Sequence, residues 1–507
     1  MITLNKINKK NNTFKKISEL SIGIDFGTTY SLVSTVIKNN VYIITDKYNR
    51  ALLPSIVNYS IPNKTLVGWQ AENMVINDPI NTIISVKRLI GYSYTEIKKL
   101  YPNLPYHLKN NTNNTLSFIT NNGKKNIVEV CSQIFMTLRN RVISTFNQEF
   151  KNTVITVPAH FDEKQRQEIK KSAELCKLNV IRLINEPTAA AISYGLYSKK
   201  NKTIAVYDLG GGTFDISILK LHEGIFEVLA TSGNIHLGGD DFDQLLIDYI
   251  LKKTNLLNTE INNFTQRKLL HLAKSIKIKL TSIDCIKFQL NDQKFYKITR
   301  LEFNSIIEPL ILKTLRICQK VLHDANIDLK NIEEIILVGG STYIPILRKK
   351  IADFFQKEPL SSINPDQVVV AGAAIQANML TCNNNKNNFI LLDVVSLSLG
   401  IEVIGETVEK IILKNTKLPT SKTKIFTTFK DGQKTILIHV VQGEKELVKD
   451  CRSLSRFVLK NIPSKPAGKI IIVVNFQIDV NGLLSVMAKI KSTKIKQKIT
   501  VNFLKKS

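Results

Sequence analysis

Two segments of the chain, about 180 residues apart, share a pattern that restricts the possible fold more than any other feature. In each, an apolar β-rich run ends in an aspartate and continues into a turn of glycine and threonine: SIGIDFGTTYS at residues 21–31 and TIAVYDLGGGTFD at residues 203–215. A further alternating strand follows each turn, so each turn is predicted to be the tip of a β-hairpin. The separation is too long for a solenoid repeat and therefore indicates a duplicated lobe.

Both hairpin tips have the composition of a phosphate-binding turn. Glycine and threonine present backbone N–H groups and hydroxyls to an anion, and a third turn of this kind, Gly339–Gly340–Ser341, follows another predicted strand. Asp25 and Asp208 precede the first two tips, and two carboxylates beside bound phosphates are suited to holding Mg²⁺. The P-loop pattern G-x-x-x-x-G-K-[ST] does not occur in the sequence. One such turn alone is more often an ordinary loop, whereas three in order predict a nucleotide site.

The rest of the chain divides into a mixed α/β part and an all-β part. One helix is predicted from its N-cap Asp162 to Leu175, and another has Pro187 in its first turn. An asparagine-rich run at 382–388 then indicates a linker, and the short alternating strands beyond it, with Asp-Gly and Asn-Gly turns, predict a β-sandwich without helices. The predicted organisation is a flexible tail at 1–19, an α/β domain at 20–381, a linker at 382–395 and a β-sandwich at 396–507.

The chain carries a large positive charge: Lys and Arg number 70 against 42 Asp and Glu, a formal net charge of +28. Only 12 of these cations are arginines, and the lysines are spread along the whole sequence. Because specific nucleic-acid recognition relies on the arginine fork, we interpret the charge as compositional drift and expect no nucleic-acid partner. No apolar stretch approaches the ~18 residues of a membrane span, and the six scattered cysteines show no metal or disulfide pattern. The N-terminus lacks a secretory pattern, so a cytoplasmic monomer without membrane contacts is expected.

Several motifs together resemble those of the 70-kDa heat-shock chaperone family. The three turns correspond to the family's phosphate signatures, and KRLIG at 87–91, NEPTAAA at 185–191 and HLGGDDFD at 236–243 match in the same order. The resemblance covers nearly the whole chain, and the run from Gln442 to Leu454 is most similar to the members dedicated to iron–sulfur cluster assembly. Family membership implies an α/β, two-lobed, actin/hexokinase-like ATPase domain followed by a β-sandwich that binds peptides.

The resemblance implies a site for ATP or ADP with Mg²⁺. Asp25, Glu186 and Asp208 would organise the hydrated Mg²⁺ and the attacking water. Lys87 would contact the γ-phosphate, and Thr213 would hydrogen-bond to that phosphate or to the nucleophile. These five residues form the expected catalytic set. The other expected nucleotide contacts are Gly27, Thr28, Thr29, Tyr30, Gly210, Gly211, Gly212, Gly238, Gly239, Lys277, Thr281, Gly339, Gly340, Ser341, Tyr343 and Asp366.

The adenosine side of this implied site departs from the family's commoner pattern. Lys274 and Ile278 stand where many members have Glu and Arg, whereas Lys277 and Thr281 match. Tyr343 stands where an arginine usually packs on the adenine, and its ring is expected to stack there instead. Without the family's ion pair across the cleft, nucleotide is expected to leave readily, with little need for an exchange factor.

The resemblance also implies a peptide-binding switch. Coupling residues are expected at Pro158, Arg166, Arg182, Leu391, Leu392 and Asp393, with a charge pair between Asp393 and Arg182. A groove for extended peptides is expected at Ile401, Ile404, Phe426, Phe429, Ile436 and Ile438, although as bare sequence this alternation is more typical of sandwich core. The implied partners are a J-domain co-chaperone and an iron–sulfur scaffold protein bound through a proline-containing segment. The helical lid that usually follows these strands is not found before the sequence ends at Ser507, so either the lid has been lost or the chain is truncated.

Two other functions use the same ATPase fold. A small-molecule kinase and an actin-like filament protein would each need the nucleotide site. A kinase, however, would need neither the apolar linker nor the sandwich, and a filament protein would need no groove for a client peptide. The sequence therefore favours an ATP-dependent chaperone over both.

Overall fold

The computed structural model describes residues 5–7, 20–150, 152–195, 201–222, 224–256, 262–290, 294–360, 364–382, 390–491 and 496–500. Most of the expected tail at 1–19 and the linker residues 383–389 lie outside this description. Within the tail, Asn5–Ile7 form a strand that pairs in parallel with Asn40–Ile44, and Ile7 is buried. These three residues therefore differ from the flexible tail that the sequence predicts, because the sheet edge satisfies their backbone and the core takes up Ile7.

The first lobe comprises residues 5–195. Its elements are β1 (Asn5–Ile7), β2 (Ser21–Phe26), β3 (Tyr30–Ile37), β4 (Asn40–Ile44), β5 (Leu53–Pro54), β6 (Val57–Asn58), β7 (Leu66–Val67), α1 (Trp69–Glu72), β8 (Thr82–Ile83), α2 (Tyr94–Leu100), β9 (His107–Asn110), β10 (Leu116–Thr120), β11 (Gly123–Asn126), α3 (Ile127–Phe146), β12 (Asn152–Val157), α4 (Glu163–Leu175), β13 (Asn179–Asn185) and α5 (Glu186–Gly195). The main sheet has the order β1-β4-β3-β2-β12-β13, with β5 paired to β3. The β2–β3 hairpin is antiparallel, and β12 runs parallel to β2 and β13. Asp162 caps α4 through a capping box with Gln165, as predicted.

The second lobe repeats the hairpin design. Its elements are β14 (Lys202–Leu209), β15 (Phe214–His222), β16 (Ile225–Asn234), α6 (Gly239–Lys253), α7 (Asn263–Lys279), β17 (Cys285–Gln289), β18 (Phe295–Thr299), α8 (Arg300–Asp324), β19 (Glu334–Val338), α9 (Pro345–Phe355), α10 (Val368–Thr381) and β20 (Ile390–Leu392). The sheet order is β19-β14-β15-β16-β20. Strands β14 and β15 form the second predicted hairpin, and β20, from the expected linker, adds in parallel to β16.

Helices α5 and α10 pack against each other between the two lobes. A Cβ atom on Gly372 of α10 would lie 1.8 Å from the Ala189 carbonyl oxygen of α5. A Cβ on Gly23 of β2 would lie 2.1 Å from the backbone nitrogen of Ala374, on the other side of α10. Only glycine permits backbones to approach so closely. These two positions therefore set the distance between the lobes and the shape of the cleft.

The all-β part follows the linker. Its strands are β21 (Leu399–Val403), β22 (Thr407–Ile412), β23 (Thr420–Thr427), β24 (Ile436–Gln442), β25 (Arg452–Leu459), β26 (Ile471–Ile478), β27 (Leu484–Ile490) and β28 (Lys496–Thr500). They form two antiparallel sheets, β22-β21-β24-β25 and β23-β26-β27-β28, that enclose one apolar core. The described residues of this part contain one short 3-10 helix, Val448–Asp450, and no α-helix, as predicted. Across all described residues, no helix combines the length and the apolar character needed to cross a bilayer.

Candidate nucleotide site

The three predicted turns meet in the cleft between the lobes, where they border a cavity of about 390 Å³. Nearly all of the expected catalytic and nucleotide-contacting residues line this cavity: Asp25, Gly27, Thr28, Thr29, Tyr30, Lys87, Glu186, Asp208, Gly210, Gly211, Thr213, Gly239, Lys277, Thr281, Gly339, Gly340, Ser341, Tyr343 and Asp366. Gly212 and Gly238 are outside this lining set. The fold therefore brings residues that are far apart in the sequence into one site.

The two hairpin tips are in contact, and close packing between loops explains why glycine occurs at positions that do not line the cavity. A Cβ on Gly211 would lie 2.1 Å from the Thr29 hydroxyl oxygen, and a Cβ on Gly212 would lie 2.9 Å from the Thr28 methyl carbon. Gly238 packs equally closely on the carbonyl of Gly211. These glycines permit loops of both lobes to come together. Gly212 and Gly238 thus act in packing the tips.

The third turn is held against the second hairpin. Gly339 has a φ of 83°, in the left-handed region that favours glycine, and a Cβ there would meet the Leu209 carbonyl oxygen at 2.4 Å. The Ser341 hydroxyl donates to the Gly210 carbonyl oxygen over 2.9 Å. The tip itself is closed by the Gly210 amide, which donates to the Thr213 carbonyl. The three turns therefore form one continuous rim of backbone groups.

The charged groups of the site lie at the inner end of the cavity. Lys87, in a 3-10 turn at Val86–Leu89, donates to Glu186 over 2.7 Å, and both side chains are buried. Glu186 is the first residue of α5, directly after β13. Asp25, at the end of β2, accepts a hydrogen bond from the Thr156 hydroxyl at 3.0 Å. A single ammonium therefore faces several carboxylates.

Burial changes the acidity of these carboxyls. It raises the pKa of Glu186 to about 7, with Lys87 opposing the rise and Asp25 adding to it. Burial also raises the pKa of Asp208 well above its usual range, and the charges of Glu186, Asp215 and Asp25 increase the effect. The Asp25 pKa is raised by burial as well, against the opposing charge of Lys87. Ionisation of all three carboxyls would therefore place more negative charge here than Lys87 alone can balance.

This donor set fits a magnesium ion held largely through its waters. Within the described residues, no three His, Cys, Asp or Glu side chains are close enough to ligate one ion directly, and Glu186 is engaged by Lys87. The three carboxylates expected around Mg²⁺ are therefore not gathered as direct ligands. Mg²⁺ keeps several waters and needs only one or two carboxylates, so Asp25 and Asp208 can hold a hydrated ion. A cation there would also relieve the repulsion that raises their pKa values.

The side of the cavity that is expected to hold the adenosine is built from α7 and the third turn. Lys277 donates to the Gly239 carbonyl at 2.7 Å and to Asp243 at 2.8 Å, so it holds α6 to α7. The Lys274 ammonium lies 5.3 Å from the centre of the Tyr30 ring, a cation–π contact across the cleft. The sequence reasoning missed Asp243, whose buried carboxylate fixes Lys277. Its place in the HLGGDDFD motif was the available signal.

Tyr343 borders the cavity with its ring partly exposed, and its hydroxyl donates to the Asn364 side chain at 3.2 Å. Burial and the nearby Asp366 raise the Tyr343 pKa to about 12. The Arg348 guanidinium lies 5.8 Å from the ring centre. The ring is thus held at the cavity edge by both a hydrogen bond and a cation.

Ion pairs cross the cleft at positions that the sequence reasoning did not consider. Arg88, next to Lys87, pairs with Asp241 at 3.1 Å and with Asp240 at 3.6 Å, at the start of α6. Ser85 also donates to Asp240, at 3.0 Å. The lobes are therefore linked by charge, although not at Lys274.

The expected coupling residues surround the docked linker. Leu391 and Leu392 lie in β20, opposite Phe226 and Glu227 of β16. Asp393 is buried and accepts hydrogen bonds from Asn185 at 2.7 Å and Thr188 at 3.2 Å. Burial raises its pKa.

The charge pair predicted between Asp393 and Arg182, both of which the structure describes, is not formed as a direct contact. The Asn185 amide occupies the nearest position to the Asp393 carboxylate and links it to Arg166, which donates to the Asn185 side-chain oxygen at 2.7 Å. Burial lowers the pKa of Arg182, and the charge of Asp393 opposes this change without a direct contact. Pro158 begins the loop from which α4 and Arg166 follow, and its carbonyl accepts from Phe161.

The sandwich contacts the first lobe beside this loop. Arg452 pairs with Asp162 at 2.5 Å and donates to the Gly91 carbonyl at 2.7 Å. The Leu484 amide donates to Glu163 at 2.8 Å, and the Leu183 amide to the Asn481 side chain at 3.1 Å. None of these contacts was predicted, because each joins residues 290 to 361 positions apart, with no local sequence pattern to indicate the contact.

The expected groove residues fall into three groups. Ile401 and Ile438 are buried in the core between the sheets, and Phe426 and Ile436 are partly buried against that core. Ile404 and Phe429 are exposed, at 70% and 62% of their surface. Large apolar side chains with this exposure are suited to contact an extended apolar segment.

Comparison with known proteins agrees with this arrangement. The family model described as "Hsp70 protein" matches residues 21–506. A "Chaperone protein HscA" of Buchnera aphidicola subsp. Baizongia pistaciae is 68% identical over 99% of this chain and 98% of its own length. Proteins of the same name in Buchnera aphidicola subsp. Schizaphis graminum and Proteus mirabilis are 53% and 47% identical, over 97% and 95% of this chain and 80% and 78% of theirs. The chain therefore belongs to the Hsp70 family.

Proposed function

We propose that this protein is an ATP-hydrolysing chaperone that binds extended peptide segments and assists iron–sulfur cluster assembly. The observation that carries the proposal is the buried Lys87–Glu186 pair at the inner end of a cavity rimmed by three phosphate-type turns. The same chain adds a β-sandwich that contacts the ATPase lobes, and its relatives of 47–68% identity are named as chaperones. A kinase or a filament protein would leave the sandwich without a role, so neither alternative is favoured.

We infer an actin/hexokinase-like ATPase domain in which catalysis consists of positioning and charge stabilisation. Backbone N–H groups of Gly27, Gly211 and Gly340 would cradle the phosphates. Lys87 is held by Glu186 and would face the γ-phosphate, and Thr213 would hydrogen-bond to it or to the attacking water. Mg²⁺, when bound near Asp25 and Asp208, would neutralise phosphate charge.

The protein's own acids are suited to manage the proton of the attacking water. Glu186 has a pKa of about 7, so its carboxylate can accept a proton near neutral pH. Lys87 keeps that carboxylate in one position through a 2.7 Å contact. The water would therefore be oriented between Glu186 and the phosphate, with no covalent intermediate on the protein.

On the sandwich, we propose that Ile404 and Phe429 cover a bound extended peptide whose side chains reach towards Phe426 and Ile436. Proline-containing segments fit this mode, because they are already extended and lose little entropy on binding. A J-domain co-chaperone and an iron–sulfur scaffold protein are the proposed partners. The iron–sulfur role rests on the similarity of the run from Gln442 to Leu454 to chaperones of that pathway.

The direct test is ATP hydrolysis by the full chain, alone and with a J-domain protein and a proline-containing scaffold peptide. We expect both additions to stimulate ATP hydrolysis, and stimulation by neither would contradict the proposal. Lys87→Ala should abolish hydrolysis while ATP still binds. Lys320→Ala, at an exposed lysine of α8, is the matched control and should hydrolyse normally. Normal hydrolysis by Lys87→Ala would show that the catalytic assignment is wrong.

A further inference from the structure

Helix α7 extends beyond the nucleotide cavity and borders a second one. Lys274 and Ile278 line the cavity of the phosphate turns, and both also line an adjoining cavity of about 710 Å³ between the lobes. Arg267, two turns earlier on α7, lines only the second cavity. Residues 267, 274 and 278 recur at helical spacing, so they share one face of α7. The face that borders the nucleotide therefore continues outward to Arg267.

Arg267 makes a buried contact with the opposite lobe. Its Nη2 donates to the hydroxyl of Tyr106 over 2.8 Å, and its guanidinium carbon lies 5.5 Å from the centre of the Tyr106 ring. Arg267 is only 5% exposed. A hydrogen bond from a charged donor in such surroundings is stronger than a surface ion pair.

Tyr106 is fixed within the first lobe. It is buried, its hydroxyl accepts from the Ile84 amide at 3.0 Å, and its ring packs edge-on against Phe118 at 5.4 Å. Its position cannot follow a movement of α7 without breaking these contacts. Arg267 is likewise held by a helix that packs into the core of the second lobe through Leu269 and Ala273. The two lobes cannot separate at α7 while the Arg267–Tyr106 contact persists.

We propose that Arg267 and Tyr106 form a latch across the cleft that limits the rate at which nucleotide leaves. The inference rests on the proposed nucleotide site. A nucleotide enclosed by turns of both lobes and by α7 can leave only when α7 moves away from the first lobe, and that movement breaks the latch. The Lys274–Tyr30 contact lies at the cavity itself, whereas the latch lies farther out on the same helix face. The latch therefore restrains release without an ion pair at Lys274.

The test measures release of a fluorescent ADP analogue from the full chain after mixing with excess unlabelled ATP. Tyr106→Phe, which removes one hydroxyl, and Arg267→Gln are each expected to speed release about tenfold, equivalent to ~1.4 kcal/mol. The double variant should release no faster than the faster single variant, because both changes break one contact. Arg139→Gln is the control: Arg139 of α3 pairs with the exposed Glu149 within the first lobe and away from α7, so the release rate of this variant should not change.

Wild-type release rates in both single variants would overturn the latch, and so would fully additive effects in the double variant. If Arg267→Gln fails to fold, Tyr106→Phe alone decides the question. Failure of the unsubstituted protein to bind the analogue would instead contradict the proposed nucleotide site. The latch is therefore tested by the release rates of the variants, and the nucleotide site by binding of the analogue to the unsubstituted protein.

Discussion

Arg452 joins the sandwich to the first lobe, and its removal should weaken that docking by a measurable amount. The side chain pairs with Asp162, donates to the Gly91 carbonyl and lies 4.7 Å from the centre of the Tyr92 ring. A hydrogen bond to a charged group contributes ~1.5–3 kcal/mol. Arg452→Ala also leaves the buried Asp162 carboxylate without its cation, which adds to the loss. Since such effects do not add fully, we expect docking to weaken by about 3 kcal/mol.

The Leu484 amide provides a local probe of docking. It donates to Glu163 across the interface at 2.8 Å, so its hydrogen exchange requires the sandwich to move away. A loss of about 3 kcal/mol corresponds to exchange roughly a hundredfold faster in Arg452→Ala, measured by mass spectrometry with and without ATP. Arg456→Ala, at an exposed arginine of the same strand, should leave this exchange unchanged.

Unchanged exchange at Leu484 in Arg452→Ala, under both nucleotide conditions, would refute the reasoning. Equal acceleration at the Val486 amide would also refute it. Val486 pairs with Phe476 inside the sandwich, so its exchange reports the stability of the sandwich itself.

Three further predictions concern the interface, the groove and the lobes. Burial raises the Glu163 pKa to about 8 in the docked protein, so docking is accompanied by uptake of a proton. Docking should therefore weaken as pH rises from about 5 to about 8, by up to ~1.4 kcal/mol per pH unit. Leu484 exchange should show this dependence, and Glu163→Gln should abolish it. Phe429→Ala should weaken binding of a proline-containing peptide about tenfold or more in fluorescence anisotropy, without changing basal ATP hydrolysis. Gly372→Val should destabilise the protein by more than about 3 kcal/mol in chemical unfolding, because its side chain would overlap Ala189. A Gly372→Val variant as stable as the original protein would contradict the close contact of α5 and α10.

The sequence was sufficient to predict the structure wherever a local pattern is compatible with only one structure. The hairpins around Asp25 and Asp208, the N-cap at Asp162 and the start of α5 near Pro187 all follow from residues within a few positions of each other. The three glycine turns could also be assigned to one site, because three phosphate-type turns in a single chain have few other uses.

Contacts between residues that are distant in the sequence could not be predicted from local patterns. Asp393 was expected to meet Arg182, since opposite charges suggest a pair. The structure instead inserts the Asn185 amide, which satisfies both Asp393 and Arg166 by hydrogen bonds. An amide can donate and accept at once, so it can bridge a carboxylate and a guanidinium that do not touch. Charge alone does not predict such a bridge, because the choice depends on backbone geometry at the β13–α5 junction.

We expect the linker and the nucleotide cavity to act on each other through that junction. Asn185 and Glu186 are consecutive residues with different partners: Asn185 holds the linker residue Asp393, and Glu186 holds Lys87 in the nucleotide cavity. Thr188, in the first turn of α5, also donates to Asp393. Release of the linker would remove two hydrogen bonds from the start of α5, which is the turn that positions Glu186. Because α5 packs without space against Gly372 of α10, that turn cannot adjust by sliding along its neighbour. We therefore expect a change at the linker to alter the geometry of the Lys87–Glu186 pair, and a change at the phosphates to alter the hold on Asp393.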